Sequence, residues 1–253
     1  MRYFGLIQYN GTRYSGWQRQ PNATTIQAEI EDTLSKVLRM TIEIVGCGRT
    51  DSGVHASEFY MHFDSDATLD YGFVHKLNGI LSDDIVIIDI IPVHAEAHAR
   101  YDAIFRSYKY FLTAKKDPFR RETVYHFPFF NQIEFESLQK ASNLLLQYED
   151  FFPFCKTKSD VKNYKCKIRH ASWTKSGEGN ELIFEISANR FLRGMVRLIV
   201  GMCLNVSIGK LTLDEVRDDM EMQRILQQPL SVKPHGLFLT EVRYPYIKTD
   251  KLP

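Results

Sequence analysis

Residues 46–56 read Gly46-Cys47-Gly48-Arg49-Thr50-Asp51-Ser52-Gly53-Val54-His55-Ala56, and they lie between two short strand patterns, residues 42–45 and 58–63. Glycines reach backbone conformations closed to other residues, so three of them around an Arg and an Asp predict a shaped loop. Its place between strand and strand decides the fold. A dinucleotide-binding loop joins a strand to a long helix and needs G-x-G-x-x-G, but here Gly46-x-Gly48 is followed by Asp51 where glycine belongs, and no Lys-Ser or Lys-Thr marks a P-loop. An anionic Asp51 would also repel a pyrophosphate.

Outward from this loop, residues 3–9 alternate as a strand, and Thr24 with Gln27 forms a capping box ahead of Ile26, Ile30, Leu34, Val37 and Leu38, the stripe of an amphipathic helix. After residue 63 come a short helix over 71–80, through Phe73 and Leu77, and a β-branched strand over 85–93. The order is β-α-β-β-α-β. The second half predicts a similar order: a strand over 104–113, a helix over 135–146 and a hairpin of residues 166–175 and 182–188 around Ser176-Gly177-Glu178-Gly179-Asn180. A helix from about Phe191 follows, then one more capped by Thr212 and Glu215, and a closing strand over 237–242. The expected fold is therefore α+β: two pseudo-duplicated ferredoxin-like halves, antiparallel sheets with helices on one face, and a cleft between the halves. The boundary is expected within residues 92–102, giving halves 1–98 and 99–253.

A chain of 253 residues that is 44% hydrophobic and 25% charged excludes disordered and collagen-like classes and is large enough for one big core or two smaller ones. No apolar h-region follows Met1, and the longest apolar run, near residues 198–204, is too short to span a bilayer, so a cytoplasmic protein without membrane contact is expected. Cys47, Cys155, Cys166 and Cys203 show no C-x-x-C and no His at finger spacing, which predicts free thiols, no metal and no disulfide framework. The formal charge of +1, from 32 Lys and Arg against 31 Asp and Glu, gives by itself no support for a nucleic-acid partner.

On residue chemistry alone, residues 48–56 read equally as a tight turn in which Asp51 caps backbone amides and as a functional loop. The stretch Gly48-Arg49-Thr50-Asp51-Ser52-Gly53-Val54-His55-Ala56 resembles the signature loop of the tRNA pseudouridine synthase A (TruA) family, G-R-T-D-A-G-V-H, with Ser52 replacing the commoner Ala. Other segments are similar to that family in order and spacing: residues 9–20, YNGTRYSGWQRQ, with Asn10 where Asp is usual; residues 98–103 and 106–110; Phe191 through Met195-Val196-Arg197; and Gly236-Leu237-Phe238-Leu239.

The resemblance implies isomerisation of uridine to pseudouridine at positions 38, 39 and 40 of the tRNA anticodon stem-loop, by a homodimer bound to tRNA. The glycosidic bond breaks and the uracil rejoins through C5, with no net redox change, so no cofactor is needed. Such chemistry wants a nucleophilic carboxylate and an acceptor for the C5 proton. By resemblance Asp51 is the catalytic carboxylate, attacking either base or ribose. Arg197 holds it ionised and oriented, and Tyr108 stacks on the flipped pyrimidine and serves as a candidate for C5 deprotonation. Arg49 contacts that nucleotide or fills its gap.

Spacing puts Arg190, Arg193 and Arg197 on one face of a helix, either a solvated basic face or, with the resemblance, an RNA-contacting one. Alternation groups Arg106, Tyr108 and Tyr110 on one strand face. Arg106, Tyr110, Arg190, Arg193 and Leu239 complete the expected substrate-binding set. His55 is expected to hydrogen-bond within the loop rather than to act as acid or base, and His62, His75, His126, His170 and His235 are given no role.

The charges are unevenly distributed. Residues 100–121 hold seven Lys and Arg against Asp102 and Asp117, and residues 156–175 hold seven against Asp160. Acids gather on the helices near residues 29–32 and 214–221. A one-sided basic surface is the footprint a phosphate backbone selects. Two other readings stay open: a catalytically silent RNA-binding or remodelling protein on this fold, and a pseudouridine synthase paralogue with a different RNA target.

Overall fold

The computed structural model describes residues 1–67, 69, 72–155 and 163–247. In chain order its main elements are β1 (Arg2–Tyr9), α1 (Ile26–Leu38), β2 (Val45–Gly46), β3 (His55–Asp64), α2 (Phe73–Asn78), β4 (Ile85–Val93), β5 (Phe105–Thr113) and β6 (Tyr125–His126), followed by α3 (Phe135–Leu144), β7 (Ile168–Ser176), β8 (Glu181–Ala188), α4 (Met195–Ser207), α5 (Leu213–Glu221) and β9 (Leu237–Arg243). The class is α+β. Two compact units divide it: Met1–Arg106 with Phe238–Pro253, and Ser107–Leu237. The division follows the return of the C-terminal strand to the first unit, a non-local pairing that element order does not carry.

In the first unit the strands run β4-β1-β3-β9, with β2 on β3. β1 pairs antiparallel with both β3 and β4, so it is central and its residues Tyr3, Phe4, Leu6 and Ile7 are buried. β9 joins β3 in parallel, His55 opposite Phe238 and Ala56 opposite Leu239. The Glu58 carboxylate secures this closure by accepting the Val242 N–H at 2.7 Å.

Two local expectations shift here. The cap of α1 is Thr25, whose hydroxyl accepts from the Ala28 N–H; Gln27 instead bonds Glu31 and the Ile44 carbonyl. The strand expected over 42–45 shrinks to β2, because the Ile42 and Ile44 N–H groups donate to Ser35 and Glu31 side chains of α1 instead of to a strand partner. Tyr71, expected in the short helix, lies outside the described residues.

In the second unit β5, β8 and β7 are neighbours in that order, with the short β6 parallel to β5. β7 and β8 form the expected antiparallel hairpin, Ser176 opposite Glu181. α3 packs on α4 and on β7, and Gln139 ties it to the strand by bonding both the N–H and the carbonyl of Trp173. α4 is buried along most of its length, and α5 carries the expected capping box of Thr212 and Glu215.

α4 begins later than the periodicity predicted. Gly194 has φ 72°, outside the helical region, so the helix starts at Met195 and Arg190 and Arg193 precede it. The three arginines share no helical face. No helix among the described residues is long and apolar enough to cross a membrane.

Candidate active site

Four residues of the Asp51 loop are tied to residues 9–17. The Trp17 N–H donates to the Thr50 carbonyl at 3.2 Å, the Tyr14 carbonyl accepts from the Ser52 hydroxyl at 3.1 Å and the Gly53 N–H at 3.4 Å, and the Gly11 N–H donates to Nδ1 of His55 at 3.1 Å. The Tyr9 and Thr50 hydroxyls share a buried hydrogen bond of 2.9 Å. Trp17, buried itself, stacks on Phe59 with 4.1 Å between ring centroids. At Gly11 the two backbones come so close that a Cβ would stand 2.0 Å from the Val54 carbonyl oxygen. The motif at 9–20 is thus the mould in which the loop is cast.

Within the loop, the Val54 N–H donates to the Asp51 carbonyl at 3.1 Å, closing a turn over 51–54 with Gly53 at φ 75°. Thr50 is buried, Asp51 half-buried and Arg49 exposed. Nearby Cys47 is a poor rival nucleophile: burial pushes its thiol up to about 11, leaving it protonated at neutral pH. His55 is buried and stacks on Phe238 at 4.5 Å, and its ring nitrogen is committed to Gly11, a structural role in keeping with the sequence reading.

Arg106 is buried rather than presented outward. Its guanidinium donates to the Cys47 carbonyl at 2.6 and 3.2 Å and to the Arg100 carbonyl at 2.8 Å, clamping the start of the Asp51 loop to the segment around residue 100. That segment is a compact turn in which Asp102 accepts from the His98 N–H and the Tyr246 hydroxyl, both at 2.7 Å. His62 beneath it accepts the Ala99 N–H, and burial, aided by Arg2, holds it down to about 4, so at neutral pH it stays an acceptor. Leu239, buried in β9, lies opposite Ala56 at the loop's end.

In the second unit Tyr108 is half-buried, its ring edge-on to Phe191 at 5.1 Å. Tyr110 on the same strand is fully buried and donates its hydroxyl to the Lys233 carbonyl at 2.8 Å. Strand alternation groups these side chains but does not reveal which are covered. Arg197, half-buried on α4, donates from Nε to the Val232 carbonyl at 2.7 Å. Arg193 is exposed, and Arg190, half-buried, bonds the Asn163 carbonyl at 3.3 Å.

The sequence reading did not assign Tyr9, Gly11, Tyr14 and Trp17 as loop-holders, nor Phe191 as the neighbour of Tyr108; the signal for the first four was the Gly and aromatic density of residues 9–17. Among the described residues no group of three His, Cys, Asp or Glu could hold a metal ion. Of the basic stretch at 156–175, Lys156, Lys158 and Lys162 lie outside the described residues.

A family model described as tRNA pseudouridine synthase matches residues 144–245. A tRNA pseudouridine synthase A of Parabacteroides distasonis is 46% identical over 246 residues, covering 96% of this chain and 96% of that one. The protein of that name in Porphyromonas gingivalis is 43% identical over 251 residues, 96% of this chain and 97% of that one. Another, from Exiguobacterium sibiricum, is 34% identical over 248 residues, 98% of each.

Proposed function

Since the chain belongs to the tRNA pseudouridine synthase A family, we propose that it is the isomerase that converts uridines 38, 39 and 40 of the tRNA anticodon stem-loop to pseudouridine, with Asp51 as the catalytic carboxylate. The observation that carries this reading is the Asp51 loop itself, a half-buried carboxylate on a backbone cross-linked to residues 9–17. A nucleophile must be held in place before the substrate arrives, and that is what such bonding supplies.

In the proposed reaction the target uridine leaves the stack, the bond from uracil N1 to the ribose breaks, a bond from C5 to the same ribose carbon forms, and the C5 proton departs while N1 gains one. Atoms and electrons balance within the nucleotide. Asp51 adds to the base or takes the ribose during the exchange, Arg197 orients it, and Tyr108 stacks on the uracil and is the candidate group for C5 deprotonation. Arg49, Arg190 and Arg193 bind the RNA. Arg106 and Tyr110 serve through position, since both are buried: the first braces the Asp51 loop and the second braces the segment at Lys233. Leu239 supports the end of that loop.

The same reading includes a homodimer, a cytoplasmic setting, no cofactor, and a common β-α-β-β-α-β plan for the two halves, which rests on the order of elements along the chain. Incubating the protein with unmodified tRNA labelled with tritium at uridine C5 tests the reaction class. Tritium is expected in water, one atom for each pseudouridine formed. Its retention in RNA under conditions that saturate binding would remove the assignment.

A further inference from the structure

The second unit holds a cavity of about 670 Å³ that the proposed chemistry does not use. Its rim carries Lys115, Lys116, Arg120, Arg121 and Lys233, against the carboxylates of Asp117 and Glu181. Glu181 is taken up by Arg120, while Lys115, Lys116 and Lys233 have no carboxylate partner among the described residues. These three lysines outnumber the one remaining rim carboxylate, Asp117, so the concavity keeps an excess of positive charge whose repulsion an entering anion relieves.

The inner wall includes Val124, buried, and Tyr125, whose ring touches Tyr110 and His235 but whose hydroxyl makes no hydrogen bond among the described residues. Burial raises that phenol, so it stays a neutral donor facing the cavity. The volume is in the range of small-ligand sites and admits a nucleotide. Phe119, between cavity-lining Pro118 and Arg120, is 95% exposed, a ring without a packing partner set among cations, as in surfaces on which bases stack.

We propose that this cavity binds a nucleotide of the tRNA chain, its phosphodiester on the lysines and its base against the aromatic side chains, away from the uridine that reacts. Thr113, at its edge, is five residues along β5 from Tyr108, about 16 Å at strand spacing, too far for the reacting nucleotide's own phosphate. An RNA chain fits better than a free nucleotide because the cations are exposed and open to a continuous backbone. The placement relative to the reacting uridine rests on the role proposed for Tyr108; the binding does not.

The test compares tRNA binding by the whole protein, wild type and Lys115→Gln/Lys116→Gln, by filter binding over a salt series. The double variant is expected to bind roughly tenfold more weakly at low salt, with the plot of log affinity against log salt shallower by about 0.7–0.9 for each phosphate no longer neutralised. Phe119→Ala is expected to weaken binding by at least about fivefold. Lys140→Gln, exposed on α3 and paired with Glu136, should change neither quantity. Wild-type affinity and slope in the double variant would overturn the proposal. So would thermal stabilisation by uridine monophosphate that the double variant abolishes while tRNA binding is unmoved, which would make this a free-nucleotide site. Loss of self-association with unmoved tRNA binding would instead mark the rim as an interface between copies and would also overturn it. Tritium release by the wild type separates the two readings: a protein that binds tRNA through these lysines but releases none keeps the cavity and loses the catalysis.

Discussion

Asp51→Asn is expected to abolish pseudouridine formation while tRNA still binds. The amide preserves the size of the side chain and leaves intact the turn that the Val54 N–H closes on the Asp51 main-chain carbonyl, so the loop should keep its shape. What disappears is the negative charge and the nucleophilic oxygen. Loss of a covalent catalyst typically costs about four orders of magnitude or more in rate. In the proposed binding mode the affinity for tRNA comes from cations elsewhere, so the dissociation constant should stay within about threefold of wild type, and removing an anion near a bound phosphate backbone would act in favour of binding. Single-turnover tritium release and filter binding on the same preparations measure both quantities. A variant within tenfold of the wild-type rate would remove Asp51 from the chemistry.

The second large effect comes from a methyl group. In Gly11→Ala the added Cβ would stand 2.0 Å from the carbonyl oxygen and 2.8 Å from the carbonyl carbon of Val54, both backbone atoms that cannot rotate away. Relief requires residues 9–12 and the Asp51 loop to move apart, which strains the bond between the Gly11 N–H and His55. Overpacking of this kind costs about 1–3 kcal/mol of stability, and a catalytic group displaced by 1 Å can lose about a hundredfold in rate. We expect a melting temperature lower by several degrees and a single-turnover rate down by roughly that hundredfold. Gly79→Ala is the control: its Cβ would meet nothing closer than the His75 carbonyl at 3.5 Å, so stability and rate should be little changed. Equal behaviour of the two variants would refute the role given to the close approach at Gly11.

Much of this architecture was legible from local pattern. β4 and the Thr212 capping box match their predicted residues, and the hairpin of β7 and β8 needed only two alternating runs around glycines. The misplaced features depend on partners distant in sequence. Residues 42–45 have strand character, yet side chains of α1 take the Ile42 and Ile44 N–H groups; Arg190, Arg193 and Arg197 have helical spacing, yet Gly194 breaks the register; and β9 pairs with a strand some 180 positions earlier, as the bond from Val242 to Glu58 records.

The candidate site divides in the same way. Asp51 stood out because its loop is a compact, glycine-marked motif resembling a known signature. Arg106 and Tyr110 were grouped with Tyr108 by alternation, but period two reports only which side of a strand a residue is on, not whether another segment covers it. The formal charge of +1 concealed the local imbalance at residues 113–126, where sequence-adjacent lysines and arginines meet around one cavity.

The most direct test of the central claim is to map pseudouridine, nucleotide by nucleotide, in unmodified tRNA before and after incubation with the purified protein. The account predicts new pseudouridine at one or more of positions 38, 39 and 40, and none elsewhere. Conversion confined to other positions, or no conversion with tRNA demonstrably bound, would contradict it.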